Sequence, residues 1–167
     1  MIQNILNIKE LKNIDCSNKV AVFDLDGTLV NVDSIRYLVE TTSPNYNEFH
    51  LRSVDCPPFY DVLKILKQFH DLHIKVILVT GRQEKYRKLT DFWLATHNIT
   101  IDELIMRPER FSGSKLQFKE LIFRNIIKAY EVIAVFDDDE DLLNLWRQIS
   151  PTKLVKCPEL TILPPQI

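Results

Sequence analysis

The chain has 167 residues, 46% of them hydrophobic and 26% charged, which is the composition of a soluble globular protein and the length of one ordinary domain. Its 21 Lys and Arg residues are balanced by 23 Asp and Glu residues, and the net charge of -2 excludes the broad cationic field of a protein that coats a long duplex. Only three glycines are present, where average usage of about 7% would give roughly a dozen, so we expect each one where the backbone needs it.

The N-terminal residues and the cysteines bear on location. Residues 2–13 alternate apolar and polar side chains, which predicts an amphipathic helix packed on the domain, or alternatively a dimer contact, and not a signal peptide or membrane span. Cys16, Cys56 and Cys157 lack the CxxC spacing of a zinc site. We therefore expect thiols in a reducing cytoplasm and no membrane partner.

Predicted strands and helices alternate along the rest of the chain. Short apolar runs predict buried strands at Lys19–Leu25, Lys75–Val79 and Val132–Phe136, with weaker strands at Glu103–Met106 and Lys153–Val155. Helical periodicity covers Phe59–Leu72, Gln83–His97, Leu116–Tyr130 and Asp139–Ile149. This alternation predicts βαβ units and an α/β fold, a Rossmann-like three-layer sandwich around a parallel sheet.

Each of the three strong strands is followed by side chains that can perform chemistry. These are Asp24 and Asp26 after the first strand, Thr80 after the second, and Asp137 and Asp138 after the third. The carboxyl ends of parallel strands meet at one edge of the sheet, so we expect these side chains to converge. Asp24 and Asp26 share one face of extended chain, and their mutual repulsion favours an intervening cation such as Mg²⁺. Gly27 would let the chain turn and present amides to a phosphate.

Residues 23–28, Phe-Asp-Leu-Asp-Gly-Thr, resemble the DxDGT signature of the haloacid dehalogenase (HAD) superfamily of phosphotransferases. The apolar run at 76–82 resembles that superfamily's second motif, and Asp137-Asp138 resembles its fourth. For the third motif, a lone lysine near a helix start, the candidates are Lys115 and Lys119. All four motifs occur in the superfamily's order.

A closer resemblance is to the 3′-phosphatase domains of phage polynucleotide kinases. Thr80-Gly81-Arg82 is similar to the Ser-Gly-Arg of that group, and Arg107-Pro108 followed by Lys119-Glu120-Leu121-Ile122-Phe123 is similar to its Arg and Lys-x-x-Ile-Phe. This alignment selects Lys119, and leaves Lys115, where the group has an Asp, facing solvent. No GxxxxGKS precedes the domain, so we expect no kinase domain in this chain.

The resemblance implies a Mg²⁺-dependent phosphomonoesterase. Asp24 would be the nucleophile that forms an acyl-phosphate, and Asp26 would be the general acid and base. Mg²⁺ would be held by Asp24, the main-chain carbonyl of Asp26 and Asp138, with Asp137 as a second-shell ligand. Lys119 would stabilise charge on the phosphoryl oxygens.

Five further residues are expected to bind the substrate. Thr80 would hold phosphoryl oxygens, Gly81 would open a turn after Thr80, and Gly27 would offer its loop amides. Arg82 and Arg107 would bind phosphate oxygens in bidentate fashion.

The predicted architecture is a single domain, 1–167, with a small cap-like insertion at about residues 29–56. An insertion of this size leaves the site open, so it tolerates a phosphate attached to something large. We therefore expect the substrate to be a nucleic-acid 3′ end or a nucleotide. The alternatives are a phosphatase for a small metabolite or a protein phosphoresidue, and a catalytically silent partner of a repair enzyme that binds metal or phosphate.

Other polar and aromatic residues have plainer interpretations. The basic run Arg82, Lys85, Arg87 and Lys88, with Tyr86 inside it, predicts a solvated helix start, with a contact to a nucleic-acid backbone as the alternative. The four histidines, among them His50, share no metal-ligand spacing and are expected in surface or structural roles. Trp93 and Trp146 are expected in the core.

Overall fold

A six-stranded sheet forms the centre of the structure, a computed structural model that describes residues 16–164. The predicted helix at 2–13 lies outside the described residues. The strands are β1 (Lys19–Phe23), β2 (Lys75–Gln83), β3 (Glu103–Arg107), β4 (Glu131–Asp137), β5 (Lys153–Lys156) and β6 (Thr161–Ile162). Their order is β3-β2-β1-β4-β5-β6, with the first five parallel and β6 antiparallel to β5. The predicted α/β class with a central, mostly parallel sheet is confirmed.

Helices cover both faces of this sheet. They are α1 (Tyr46–Arg52), α2 (Tyr60–Asp71), α3 (Arg87–Thr96), α4 (Lys115–Ala129) and α5 (Glu140–Ile149), with 3-10 helices at Asp33–Leu38, Ser53–Asp55 and Glu84–Tyr86. The side chains of Ala21 and Phe23 join the core beneath α2 and α3, whereas those of Val20 and Val22 join the core beneath α4 and α5. This alternation along β1 follows from the two-residue period of a strand and produces the predicted three layers.

Sequence signals at the helix ends agree with the structure. Ser114 caps α4 in a capping box with Gln117, and Asp139 caps α5 by accepting from two main-chain N–H groups of its first turn. Trp93 and Trp146 are fully buried, as expected. Across residues 16–164, no helix has both the length and the apolar character needed to cross a lipid bilayer.

Two local features differ from the sequence predictions. The segment after β1, which carries no clear periodicity, contains α1, a short helix whose first turn is capped by the side chain of Asn45. The predicted turn after Thr80 is wrong, because β2 continues through Gly81 to Gln83. The pairing of β2 with β3 shifts its register between Thr80 and Gln83, so the strand absorbs extra residues while its backbone stays extended.

Three phenylalanine rings from separate elements should account for a large share of the stability. Phe23 and Phe136 stack at 4.2 Å, and Phe69 of α2 meets both rings edge-on at 5.9 and 5.8 Å. We expect Phe69→Ala to lower the free energy of unfolding by about 3–5 kcal/mol, because it removes a buried ring and leaves a cavity. Urea unfolding measures this change. The control Phe92→Ala, at a ring that is 60% exposed, should change it by less than about 0.5 kcal/mol, and equal effects would contradict the prediction.

Candidate active site

The ends of β1, β2 and β4 open into a cleft of about 940 Å³. Phe23 lies level with Leu78 of β2 and Phe136 of β4, so the next residues along the three strands reach the same edge. The N–H of Asp24 donates to the carbonyl of Phe136 at 2.9 Å and extends this alignment by one residue. The cleft is lined by Asp24, Asp26, Thr80, Gly81, Arg82, Arg107 and Asp138, among others. The predicted convergence of the strand ends is thereby confirmed.

A buried lysine connects two of the aspartates. The Nζ of Lys119 lies 2.5 Å from Oδ1 of Asp24 and 3.0 Å from Oδ2 of Asp137. Its side chain is only 1% exposed, and a buried ammonium needs such partners. Burial alone lowers the pKa of Lys119, but the charges and hydrogen bonds of Asp137 and Asp24 outweigh it and raise the pKa above its ordinary value. Lys119 is therefore a permanent cation beside Asp24.

Three carboxylates gather where β1 and β4 end. Ligand oxygens of Asp24, Asp137 and Asp138 all lie within 4.8 Å of one another. Burial raises the pKa of Asp24 to about 7, with Lys119 opposing it and the two other aspartates adding to it. Burial and Asp137 likewise raise the pKa of Asp138 to about 6. An all-oxygen donor set with surplus negative charge fits a hard divalent cation such as Mg²⁺.

Asp26 has a partner of its own. Nε and Nη2 of Arg82 lie 2.7 and 2.5 Å from the two carboxylate oxygens of Asp26, and Nη1 donates to Oγ1 of Thr90 at 3.2 Å. Burial raises the pKa of Asp26, but the charge and hydrogen bonds of Arg82 outweigh it, so the pKa lies below its ordinary value. Arg82 is among the residues that line the cleft, yet its guanidinium already binds the carboxylate of Asp26.

Gly27 uses its own amide within the loop after β1 and provides room for a neighbouring carboxylate. Its φ of +88° is in the left-handed region, and its N–H donates to the carbonyl of Val30 at 3.0 Å. The Gly27 amide is therefore used within the loop, and the expectation that other amides of this loop face a phosphate stays a prediction. A Cβ at position 27 would lie 2.0 Å from Oδ2 of Asp138, so only glycine lets that carboxylate come so close to the loop.

The other predicted substrate ligands lie at the cleft. Thr80 is 1% exposed, and its Oγ1 accepts a hydrogen bond from the main-chain N–H of Arg82 at 3.2 Å. Arg107 ends β3, and its buried Nε has no hydrogen-bond partner within residues 16–164. Gly81 lies against the aliphatic part of Lys115, whose Cγ would be 2.7 Å from a Cβ at position 81.

Sequence reasoning missed several residues of the cleft. Arg36 lies 3.6 Å from the carboxylate of Asp138, and no motif marks it in the sequence. Lys115 is exposed, as expected, but it also lines the cleft and pairs with Asp139 at 2.7 Å, which the sequence did not indicate. Its position one turn before Lys119 on α4 is a signal that could have placed it there. His50 also lines the cleft and is 8% exposed, and the expectation of a surface or structural role did not indicate this position.

Solved structures share this architecture. A class C acid phosphatase from Bacillus anthracis, solved with tungstate bound, aligns with a TM-score of 0.61 at 12% identity over 88% of this chain and 67% of that one, which bears on the fold alone. A chain from the structure of the Pnkp1/Rnl/Hen1 RNA repair complex aligns with a TM-score of 0.70 at 27% identity over 86% of this chain and 43% of that one. Fold and site define a HAD-type phosphatase, a hydrolase of phosphoric monoesters.

Sequence comparison names the family within this class. The sequence model of the protein family described as the polynucleotide kinase PNKP phosphatase domain matches residues 18–156, and the chain belongs to this family. A putative bifunctional polynucleotide kinase/RNA ligase from Autographa californica nuclear polyhedrosis virus is 27% identical over 143 residues. That match covers 83% of this chain and 19% of the viral protein, so the chain spans about a fifth of its curated relative.

The raised pKa values make the effect of a cation on stability depend on pH. Between about pH 4 and 7 the metal-free native state keeps protons on Asp24 and Asp138 that the unfolded chain has lost, so stability falls as these two groups ionise. A bound Mg²⁺ needs the ionised carboxylates. We therefore expect the gain in Tm from Mg²⁺ over a chelator to increase from pH 5.5 to 7.5 by several degrees, roughly 2 kcal/mol in stability.

Thermal unfolding at the two pH values measures this gain. Asp24→Asn should reduce its pH dependence, because one titrating ligand is lost, whereas Asp91→Asn on the exposed face of α3 should not. A Mg²⁺ gain that is equal at both pH values would contradict the prediction.

Proposed function

We propose that this chain is a Mg²⁺-dependent phosphatase that acts through an aspartyl-phosphate on nucleic-acid 3′-phosphate ends or nucleotides. The observation that carries the proposal is the buried carboxylate of Asp24, at the open end of β1 and 2.5 Å from the Lys119 ammonium. The choice of substrate is supported by membership of the PNKP phosphatase-domain family and by a relative described as a kinase and RNA ligase.

Asp24 performs the first chemical step. Lys119 holds Oδ1 of Asp24, a residue that lines the cleft, and leaves Oδ2 to attack phosphorus. The new Oδ2–P bond forms as the P–O bond to the alcohol breaks, and the alcohol takes a proton from Asp26. Water then attacks the acyl-phosphate, Asp26 takes a proton from that water, and inorganic phosphate leaves with the Asp24 carboxylate restored.

The other cleft residues hold the transferring group. Asp24, the main-chain carbonyl of Asp26 and Asp138 would hold Mg²⁺, with Asp137 as a second-shell ligand, and the ion would supply positive charge that offsets the negative charge of the carboxylates and of the phosphoryl oxygens. Lys119 and the hydroxyl of Thr80 stabilise charge on those oxygens. Arg107, whose Nε has no hydrogen-bond partner in the described residues, binds a substrate phosphate oxygen from the end of β3.

Arg82 connects substrate binding to the proton on Asp26. Its ion pair favours the ionised form of Asp26, whereas the first step needs the acid form. A phosphate anion that approaches the guanidinium competes with Asp26 for it and weakens this hold on the carboxylate. Asp26 can then take up its proton when substrate is bound, so Arg82 serves both the carboxylate and the phosphate.

Phosphate release from defined substrates tests the proposal. With Mg²⁺ present, we expect release from a 3′-phosphorylated oligonucleotide and a 3′-nucleotide, and a loss of roughly 1,000-fold or more in Asp24→Asn because the nucleophile is gone. Asp91→Asn is the matched control and should retain the parental rate. No release from any substrate, or equal rates for Asp24→Asn and the parent, would refute an enzyme. Release only from sugar phosphates would refute the nucleic-acid substrate.

Asp26 is tested by two substrates that differ in leaving group. The aryl oxide of an aryl phosphate can leave without a proton, whereas the 3′ oxygen of a terminal ribose or deoxyribose needs one. We expect Asp26→Asn to slow the 3′-phosphate by about 10²–10⁴-fold and the first step with the aryl phosphate much less. Acid quenching should then trap phosphate on the protein as a hydroxylamine-labile acyl-phosphate, and Asp24→Asn should trap none. Equal slowing of that first step with both substrates would contradict an acid role.

A further inference from the structure

One side of the cleft is formed by three aromatic rings and a lysine, here called the aromatic wall: Tyr46, His50, Tyr86 and Lys85. The rings of His50 and Tyr86 lie 4.4 Å apart, those of Tyr46 and His50 lie 6.5 Å apart and tilted by 28°, and Nζ of Lys85 lies 4.9 Å from the centre of the Tyr86 ring. Helix α1 supplies the first two residues, and the 3-10 helix after β2 supplies the others.

The aromatic wall is buried at two of its rings and exposed at the third. Tyr86 and His50 are 6% and 8% exposed, and the hydroxyl of Tyr86 donates to the side chain of Asn47 at 3.2 Å. Tyr46 is 59% exposed and lines the cleft. The buried rings therefore fix α1 in place and present one large aromatic face to whatever enters. An exposed tyrosine held in this way is suited to stacking.

The aromatic wall has an uncharged ring at His50 and a positive charge at Lys85. Burial lowers the pKa of His50 to about 4, with Asp26 opposing the shift and Arg82, Lys85 and Arg107 adding to it, so the ring is uncharged at neutral pH. Its buried Nδ1 has no hydrogen-bond partner within residues 16–164. His50 thus contributes a flat ring, and Lys85 contributes the charge.

The four residues of the basic run at the end of β2 and after it differ in burial and in their partners. Arg82 is buried against Asp26, and Arg87 forms two hydrogen bonds with Glu84 at 2.7 and 2.8 Å. Lys85 and Lys88 are both exposed, and of these two only Lys85 is among the residues that line the cleft. Lys85 is therefore the exposed cation of the run that lies beside the stacking surface and within the same cleft as Asp24.

We propose that the aromatic wall is a nucleoside subsite, in which the terminal base of a 3′-phosphorylated strand stacks on Tyr46 and Lys85 binds the phosphodiester on its 5′ side. This proposal rests on the proposed function and predicts that strands of at least two nucleotides are better substrates than a single nucleotide. Proteins bind single-stranded nucleic acid with aromatic side chains that lie beside a cation. The aromatic rings stack on the flat faces of the bases, and the cation binds the charged phosphodiester linkages. A sugar phosphate has neither feature.

Matched substrates separate the two contacts. The set is a 3′-phosphorylated dinucleotide, the same dinucleotide with an abasic terminal sugar, and a nucleoside 3′-monophosphate. We expect Tyr46→Ala to lower kcat/KM on the complete dinucleotide by about 5- to 100-fold and to leave the abasic substrate unchanged, because only the stacked base is lost. Tyr46→Phe should restore the parental value. Tyr60→Ala, at a residue that is 64% exposed at the start of α2, is the control and should be silent.

Lys85 is tested by the phosphodiester and by salt. We expect Lys85→Met to remove the advantage in kcat/KM of the dinucleotide over the mononucleotide and to reduce the salt dependence of binding by about one phosphate contact, whereas Lys88→Met should do neither. Equal losses for Tyr46→Ala on the complete and abasic dinucleotides, or no loss on either, would overturn the subsite. A preference of the parent for a phosphopeptide over the dinucleotide would also overturn it.

A failure of the proposed function is distinguishable from a failure of the subsite. If the parent releases phosphate from none of these substrates, the catalytic proposal fails, and the subsite is judged by binding of the 3′-phosphorylated dinucleotide. Binding that is at least fivefold weaker in Tyr46→Ala than in the parent would then support the subsite, and equal binding would refute it.

Discussion

The site depends on the pairing of one buried ammonium with two carboxylates. Lys119 is almost fully removed from water, and an ion in that position costs several kcal/mol unless partners replace its hydration. Asp24 and Asp137 are those partners, at 2.5 and 3.0 Å. Because Lys119 belongs to α4 while the carboxylates follow β1 and end β4, this contact holds one helix layer against the carboxyl edge of the sheet. The geometry of the proposed nucleophile is thus part of the packing of the fold.

The two aspartates of the Asp-x-Asp motif acquire opposite properties from their partners. Asp24 shares Lys119 with Asp137 and lies near Asp138, so burial and neighbouring anions prevail and its pKa rises. Asp26 has both carboxylate oxygens bound by Arg82, and its pKa falls. A cation at the carboxylate cluster would offset the first shift, and a substrate anion at Arg82 would offset the second. Pairs of titratable groups with such divergent environments are how acid and base roles are divided in enzymes.

What could be predicted from the sequence follows the strength of its local signals. Continuous apolar strands such as β1 and the capped helices α4 and α5 were predictable, because burial and capping act within a few residues. The convergence of Asp24, Thr80 and Asp138 followed from parallel topology alone. The pairing of Arg82 with Asp26 could not be predicted, because it joins the last residues of β2 to the loop after β1, and no periodicity in the sequence indicates such a contact. Helix α1 was missed for the same reason, since it is short and its stability comes from packing around Phe49 and His50.

Steric crowding, and not backbone conformation alone, explains why glycine is kept at these three positions. Only Gly27 has a positive φ among the three, and a side chain would collide with a neighbour at every one of them. The nearest atoms to an added Cβ belong to Asp138 at position 27, to Lys115 at position 81, and to Phe111 and Gln117 at position 113. Gln117 is the residue whose side chain completes the cap of α4, the helix that carries Lys119. Each glycine therefore provides room for a side chain at or leading to the cleft, and the chain keeps glycine where charged and capping groups cross close to the backbone.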